Sequence, residues 1–356
     1  MPIWPAANDD ASAMVGDPSD CILASLYAFG AKEFDTKAAL AAMLRGANDP
    51  KTHSRVYPER PDLEEYLRLG YVAERGMSGR GAASVALEYE SADFAISRFA
   101  DALGESATAQ AFLTRSAQWR KLFDPETKWI RPRRPDGSFL PNFDPSKEIG
   151  FVEGTSAQYT WMIPFDLTGV IEAVGGSEAA RARLDDYFSH YYDWTAKNGM
   201  YFAIGNEPSF GHPWIYNWSG HPWRTQEVVR KTLRDLFNSG PAGLPGNDDL
   251  GATSSWVVFA QLGFFPEIPG VGGVTLNSPT FPDVTLMLGN HPLHITAPGS
   301  PDQLYVQNLT LDGSPIQNWW IGWDQLSKGS KLNFTLSALP NKTPGQAPPS
   351  FSPAAK

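Results

Sequence analysis

The sequence predicts a mainly α-helical fold, a toroid or bundle, followed by a small antiparallel β unit. Up to about Leu262, apolar residues recur with the helical period, and loops that contain Gly or Pro separate the periodic segments without intervening strands. After Pro269, short apolar or alternating runs replace this pattern. Helices connected in this way carry their chemistry on the loops at one rim of the domain.

The most regular predicted helix spans residues 84–103. Its apolar positions from Val85 to Leu103 are spaced by three or four residues, polar residues including Glu88 fill the other side, and Gly104 ends the segment. Comparable helices are predicted, in chain order, at 20–29, 36–44, 107–123, 158–174, 177–197, 226–237 and 254–262.

Three strands are predicted in the last part of the chain, at 284–288, 304–311 and 332–336, because turn sequences with glycine bound each of them. The predicted domains are therefore a helical unit over 1–268 and a β unit over 269–340. Residues 341–356 are rich in Pro, Ser, Ala and Lys, and we expect them to form a disordered tail.

Composition excludes several classes of function. Thirty-nine acidic residues against 29 basic ones give a net charge of −10, which argues against binding to nucleic acid or to an anionic membrane surface. No run of eighteen apolar residues occurs, and the first residues do not resemble a secretory signal. The single Cys21 excludes an internal disulfide framework and a thiolate-cluster metal site. The motifs of serine esterases, P-loop NTPases and dinucleotide-binding proteins are absent.

Aromatic residues and loop formers are unusually common. The chain has 12 Trp, 32 Gly and 30 Pro, a composition that suits long, rigid loops. Two interpretations of the tryptophans stay open: a Trp-rich core, or a pocket whose rings stack on the apolar faces of sugars.

The first candidate loop, residues 151–161, places Glu153 between apolar neighbours and before a glycine turn into an aromatic helix. A carboxyl group held among Phe and Trp is desolvated, and its pKa rises, so that it can act as a general acid near neutral pH. The alternative is a glutamate that only caps the following helix.

The second candidate loop, residues 205–209, contains Asn206 and Glu207. Amide oxygens, carboxylates and exposed carbonyls are hard ligands that suit Ca²⁺ better than a soft metal. The nearby histidines lack the spacing of a zinc site, so zinc is the weaker alternative. The non-functional alternative is an Asx-type turn with a solvated glutamate.

The third candidate loop, residues 245–256, carries the adjacent carboxylates Asp248 and Asp249 between glycines. One of the two can orient or cap while the other polarises a water molecule. A pair of acidic residues is common in an acidic chain, but its combination with Glu153 in a helical domain is more specific. Two carboxylates on opposite sides of a cleft are the groups that hydrolyse glycosidic bonds.

These loops resemble a known family. The segments 151–161, 205–209 and 246–256, together with the intervening motifs 84–89, 123–125 and 223–226 and the ending 262–266, resemble the glycoside hydrolase family 92 α-mannosidases. The similarity runs in one collinear order over nearly the whole chain. The resemblance implies an exo-acting, Ca²⁺-dependent enzyme that removes terminal α-linked mannose from glycans or mannosides and inverts the anomeric centre.

The resemblance also implies roles for individual residues. Glu153, in the EGxxxQY motif, would be the general acid, and Asp249, in the GNDDxG motif, the general base, with Asp248 beside it. Ca²⁺ would be held by Asn206 and Glu207 together with the stretch near Gln158. The metal would bind vicinal mannose hydroxyls. The residues that we expect to bind the substrate are Asp17, His212 and Trp214.

Full-length relatives resemble a β-sandwich followed by an (α/α)6 barrel, with mannose bound where the two meet. The resemblance therefore implies that this chain is an (α/α)6 toroid without its first helices, and that its partner is an N-terminal β-sandwich domain missing here. Secretion or a periplasmic location is expected for the full-length protein. Two alternatives stay open: a truncated, inactive remnant that at most binds mannosides, and a helical glycosidase or lyase that acts on another sugar.

Overall fold

The computed structural model of the protein describes residues 1–6, 9–10, 14–75, 81–192 and 199–353. Helices dominate up to Leu262 and strands dominate after it, so the predicted order of a helical part and a small β part is confirmed. In chain order the helices are α1 (Pro18–Ala28), α2 (Thr36–Asn48), α3 (Leu63–Leu69), α4 (Ala82–Ala102), α5 (Ser106–Ser116), α6 (Trp119–Leu122), α7 (Ser156–Tyr159), α8 (Leu167–Val174), α9 (Ser177–Tyr187), α10 (Ile215–Trp218), α11 (Pro222–Leu236), α12 (Ala252–Leu262) and α13 (Trp323–Leu326).

The strands fall into one five-stranded sheet, one three-stranded sheet and short two-stranded pairs. In chain order they are β1 (Pro5–Ala6), β2 (Asp9–Asp10), β3 (His53–Ser54), β4 (Tyr57–Pro58), β5 (Phe123–Asp124), β6 (Trp129–Ile130), β7 (Tyr191–Tyr192), β8 (Phe202–Ala203), β9 (Phe264–Phe265), β10 (Gly273–Leu276), β11 (Asp283–Leu288), β12 (His291–Thr296), β13 (Tyr305–Leu311), β14 (Ser314–Pro315), β15 (Trp320–Gly322) and β16 (Lys331–Ser337).

Helix α4 lies at the centre of the helical part. Nearly all of its residues from Ala82 to Ala100 are buried, and α1, α2 and α5 pack around it. The predicted polar face is therefore small: Glu88 and Arg98 are the partly exposed positions along this stretch. Across the described ranges of the chain, no helix combines the length and the apolar character that crossing a bilayer requires.

Three predicted helices are interrupted or shorter in the structure. The segment 107–123 divides into α5 and α6 at Ala117 and Gln118. The segment 158–174 divides into α7 and α8, with Pro164 between them, because proline lacks the N–H group that a continuous helix needs. Asp166 then caps α8 by accepting a hydrogen bond from the backbone N–H of Gly169 at 3.2 Å. The segment 177–197 is helical only to Tyr187, and residues 193–197 of that prediction lie outside the described residues.

The five-stranded sheet has the order β11-β12-β16-β13-β14. It contains the three predicted strands, and it adds the short β14 and also β12, whose Pro292 obscured the strand pattern. Most neighbours are antiparallel, as predicted, but β12 and β16 run parallel, with His294 opposite Lys331. One face of the sheet is buried in a hydrophobic cluster that includes Leu293, Ile295 and Phe334.

The prediction of a disordered tail is wrong for its described part, residues 341–353, which packs against the helices. The backbone N–H of Phe351 donates to the carbonyl of Phe165 at 2.7 Å, and its ring lies 5.2 Å from that of Phe94. The hydroxyl of Ser352 donates to Asp166 at 2.6 Å. The aromatic ring of Phe351 and hydrogen bonds along the segment, among them that from Trp218 to the carbonyl of Pro349, order a segment whose composition is otherwise that of a linker.

Candidate active site

The two loops that carry Glu207 and Asp249 pack backbone against backbone. Gly246 has a φ of +71°, and a Cβ atom at this position would lie 2.3 Å from the carbonyl oxygen of Gly205. Only glycine combines this left-handed conformation with so close an approach. The second and third candidate loops are thereby held together.

The first loop joins them through Asn206, whose side-chain N–H donates to the backbone carbonyl of Glu153 at 3.0 Å. Glu153 itself has a left-handed backbone with a φ of 50°, just before α7. The turn is fixed on its other side by Gln158, whose Oε1 accepts a hydrogen bond from the backbone N–H of Thr155 at 2.9 Å. All three candidate loops therefore meet at one place.

Carboxyl groups converge at this junction. The carboxyl group of Glu207 lies within hydrogen-bonding reach of that of Asp249, and Glu153 is close enough to repel it. Burial, then the negative charges of Asp249 and Glu153, raise the pKa of Glu207 to about 7. Three acidic side chains from three separate loops thus share one electrostatic environment.

Glu88 is a fourth carboxyl group at the site, and the sequence analysis missed it. Glu88 projects from α4 and packs against Gly16: a Cβ atom added to Gly16 would lie 2.5 Å from the Cβ atom of Glu88. Burial, with a contribution from Glu207, raises the pKa of Glu88 to about 7. Its position on the polar side of a predicted helix indicated a solvated residue. Its place in the motif 84–89 was the one feature of the sequence that could have indicated a role at the site.

Asp248 and Asp249 have different environments. The carboxylate of Asp248 accepts hydrogen bonds from the backbone N–H of Ser254 at 2.8 Å and from its hydroxyl at 3.1 Å, so it caps the beginning of α12. Asp249 is half-buried, has a left-handed φ of 42° and faces Glu207. Asp248 therefore makes the capping contact that the sequence allowed for either carboxylate, and the side chain of Asp249 stays free of it.

The donor set at the junction fits a hard cation. The Oδ1 atom of Asn206 is buried and has no hydrogen-bond partner among the described residues. It lies next to Glu207, where repulsion between carboxylates would be relieved by a positive charge. Gln158 is more constrained, because its Nε2 also donates to the carbonyl of Tyr201 at 3.1 Å. Within the described part of the chain, no group of three or more His, Cys, Asp and Glu has the arrangement of a metal site, so amide oxygens would have to contribute.

The three residues predicted to bind substrate, Asp17, His212 and Trp214, are buried and are not exposed at the junction of the three loops. Asp17 is 1% exposed and forms an ion pair with Arg60 at 2.9 Å beneath the Gly16 turn. His212 is buried and its Nδ1 pairs with the hydroxyl of Tyr187 at 2.9 Å. Burial lowers the pKa of His212 to about 3, so the ring is neutral.

Trp214 is completely buried, stacks on Phe265 and donates its Nε1–H to Asn277. It therefore has no surface for a sugar, and the prediction that it binds substrate is corrected. Trp223, in the motif 223–226, is half-buried, whereas Trp161, Trp218 and Trp256 are buried and belong to the core like Trp214. Of the two interpretations of the Trp excess, the core therefore holds for these four.

Glu153 also differs from its prediction, because its side chain is exposed instead of enclosed among aromatic residues. The turn directs it outwards: Gly154 packs against the ring of Tyr159, and the apolar residues of the loop point into the core. Glu153 therefore lies at the junction of the loops, but its side chain is not desolvated in the way that the sequence predicted.

Comparison with known proteins identifies the family. The profile described as the glycosyl hydrolase family 92 catalytic domain matches residues 1–338. The chain belongs to glycoside hydrolase family 92. A curated relative from Arthroderma benhamiae, named an uncharacterized secreted glycosidase, is 27% identical over 90% of this chain and 45% of its own length.

Solved structures of family 92 enzymes share the fold. An inverting mannosidase of Bacteroides thetaiotaomicron is 29% identical, with a TM-score of 0.89 over 99% of this chain and 50% of that protein. An α-mannosidase of the same organism, solved in complex with mannoimidazole, is 29% identical, with a TM-score of 0.88 over 99% of this chain and 48% of its own length. The chain thus spans about half the length of these family 92 relatives.

Proposed function

We propose that this chain carries the catalytic residues of an exo-acting α-mannosidase that releases terminal α-linked mannose with inversion. The observation that carries the proposal is the meeting of Glu153, Glu207 and Asp249, from three separate loops, at one junction. Two further facts support it: one structural relative is titled an inverting mannosidase, and another was solved with mannoimidazole.

In this proposal Glu153 is the general acid and Asp249 the general base. The Glu153 carboxyl group gives its proton to the glycosidic oxygen as the bond to C1 breaks. The Asp249 carboxylate takes a proton from a water molecule whose oxygen attacks C1 from the opposite face, so that β-mannose is formed. Asp248 supports this step by capping α12, which begins at Ala252, just after the base.

We propose Asn206 and Glu207 as ligands of Ca²⁺, with Gln158 offering the second lone pair of its Oε1. Their support is the unpartnered Oδ1 of Asn206 and the crowding of acidic groups around Glu207. When bound, the ion would supply Lewis-acid binding of vicinal sugar hydroxyls. The side-chain N–H of Asn206 has a second task, because it holds the backbone of Glu153 at 3.0 Å.

The wider assembly is part of the same proposal. We propose that the helices contribute to an (α/α)6 toroid and that an N-terminal β-sandwich domain of the longer protein packs over the loops. Such a domain would remove the exposed Glu153 from water and so provide the desolvation that a general acid needs. The name of the fungal relative supports secretion of the full-length protein.

The test is the release of mannose from an aryl α-mannoside by the protein and by Glu153→Gln and Asp249→Asn. We expect Asp249→Asn to reduce turnover by at least about a thousandfold, the order that general acid–base groups contribute together with positioning. Glu153→Gln should lose far more activity on an alkyl α-mannoside than on the aryl α-mannoside, because an aryl leaving group departs with little protonation. Activity retained in Asp249→Asn would contradict the assignment of the base. Aryl α-glucosides and α-galactosides are the controls, and hydrolysis of these alone would indicate another sugar specificity.

A second candidate, an inactive protein that only binds mannosides, is favoured by the exposure of Glu153. The chain should then bind mannosides without releasing mannose, alone or mixed with the N-terminal half of a relative. Mannose release in either sample would reject this candidate.

A further inference from the structure

A cavity of about 510 Å³ opens in the β part of the molecule, outside the candidate active site. Strand β13, the segment before β15 and the beginning of the C-terminal segment form its walls. None of the loops that carry Glu153, Glu207 and Asp249 contributes to it. The residues that distinguish it are six carboxamides: Gln307, Asn308, Gln317, Asn318, Asn341 and Gln346.

The chemistry of this lining favours a neutral ligand rich in hydroxyl groups. A carboxamide has both donors and an acceptor, which is the combination that hydroxyl groups need. Gln307 and Asn341 already use part of this capacity within the protein, because Gln307 donates to the carbonyl of Leu339 and Asn341 accepts from the N–H of Thr343. Among the described residues that line the cavity, none is charged, although 19% of the chain is. The Oδ1 atom of Asn318 is buried and lacks a hydrogen-bond partner in the described structure. An unmet acceptor of this kind costs free energy until a ligand or water donates to it.

Trp319 adds an apolar surface to the same cavity. Its indole is half-buried and its Nε1–H already donates to the carbonyl of Pro344 at 3.0 Å. What remains for a ligand is the carbon surface of the ring, which suits the apolar face of a pyranose.

The wall that faces Trp319 is held by backbone contacts. The N–H of Gln346 donates to the carbonyl of Gln317 at 2.8 Å, and the N–H of Trp319 donates to the carbonyl of Gln346 at 3.1 Å. Gly345 has a φ of +68°, and a Cβ atom there would lie 2.7 Å from the indole nitrogen. The C-terminal segment is therefore fitted closely against the indole, and the carboxamides are presented from a preformed site.

We propose that this cavity is a second carbohydrate-binding site that takes a neutral sugar residue of an oligosaccharide or polysaccharide. Its carboxamides bind the hydroxyl groups and Trp319 contacts a ring face. The site lies outside the catalytic loops, and it is independent of the proposed mannosidase activity. Its effect is to hold the protein on a glycan.

Affinity electrophoresis in gels that contain yeast mannan tests this proposal. The protein carries Asp249→Asn in every sample, so hydrolysis does not affect migration. We expect mannan to retard it, and Asn318→Leu, which removes the unmet amide at similar volume, to weaken binding at least tenfold. Asn290→Leu, on an exposed turn outside the cavity, is the matched control and should bind unchanged.

Gln346→Ala provides a second variant in case Asn318→Leu lowers stability, because the hydrogen bonds of Gln346 that hold the wall come from its backbone. Thermal unfolding verifies that each variant is folded. Mannan binding that is unchanged in both folded variants would assign retardation to the catalytic cleft and overturn the proposal. Retardation by a sulfated polysaccharide but not by a neutral one would overturn it as well. Both results come from gel retardation, so they do not depend on whether the protein releases mannose.

Discussion

Gly246 lies directly against the backbone of Gly205, at a distance that leaves no room for a side chain. These two glycines join the loop that carries Asp249 to the loop that carries Glu207. The carboxyl groups of the two loops meet because the backbones do. The geometry of the candidate site therefore depends on a contact that involves none of its reactive groups.

Gly246→Ala is expected to reduce mannose release at least a hundredfold while the protein stays folded. The new methyl group would meet the Gly205 carbonyl at 2.3 Å, so the two loops must move apart. The matched control is Gly289→Ala, which also changes a glycine of positive φ, +62°, but has no atom within 4 Å of the added Cβ. Turnover and the urea midpoint of both variants are measured. Equal activity in the two would mean that the loop contact is unimportant for the site.

Asp248→Ala and Asp249→Ala should have opposite consequences. The first removes the cap of α12 and is expected to lower the free energy of unfolding by about 1 kcal/mol, with turnover reduced less than tenfold. The second should leave unfolding nearly unchanged and abolish mannose release. Urea unfolding and aryl mannoside hydrolysis distinguish them. Loss of turnover in Asp248→Ala at full stability would instead make Asp248 a catalytic residue.

Removal of divalent cations by EDTA is expected to abolish mannose release, and excess Ca²⁺ should restore it. Asn206→Ala should raise the Ca²⁺ concentration required for half-maximal activity at least tenfold, because its buried Oδ1 is a proposed ligand. Direct titration of Ca²⁺ by calorimetry gives a readout that does not depend on turnover. Asn290→Ala, on an exposed turn, is the control. Full activity after exhaustive chelation would argue against the metal.

Glu267 makes stability depend on pH. It packs against Gly211, its Oε2 has no partner in the described structure, and burial raises its pKa from 4.5 to about 8. The pKa of Glu267 is higher in the folded protein than in the unfolded chain. Its contribution to the free energy of unfolding is therefore fully present below pH 4.5 and is lost as the pH rises through 8. The loss is at most about 1.4 kcal/mol per pH unit over this interval.

Glu267→Gln removes this titration. We expect urea unfolding to give similar stabilities for the variant and the wild type at pH 4.5, and a more stable variant at pH 8.5. Glu105→Gln changes an exposed glutamate and should alter neither value. A variant that is equally destabilised at both pH values would show that the carboxyl group is needed for packing and not as a titrating group.

The sequence identified candidate site residues where these residues lie in short motifs. Glu153, Asn206, Glu207 and Asp249 could be selected from their loops, and the structure brings them together. Motifs do not, however, specify which way a side chain faces. Trp214 follows the second candidate loop closely in sequence, yet its side chain is entirely in the core.

Tertiary packing also determines the environment of Glu88 and the order of the C-terminal segment, which the hydrophobic periodicity does not predict. Glu88 occupies the polar side of a helix, but α4 is so enclosed by its neighbours that this side faces the other carboxyl groups. Phe351 orders a tail of low-complexity composition through one ring and a few hydrogen bonds. Both depend on contacts between residues far apart in sequence, which local patterns do not encode.

The stereochemistry of the first sugar released tests the central claim most directly. Proton NMR during hydrolysis of an aryl α-mannoside distinguishes the two anomers before they interconvert. With Glu153 as acid and Asp249 as base, β-mannose should appear first, and Asp249→Asn should not produce it. Initial formation of α-mannose, or β-mannose released by Asp249→Asn at the wild-type rate, would contradict the account.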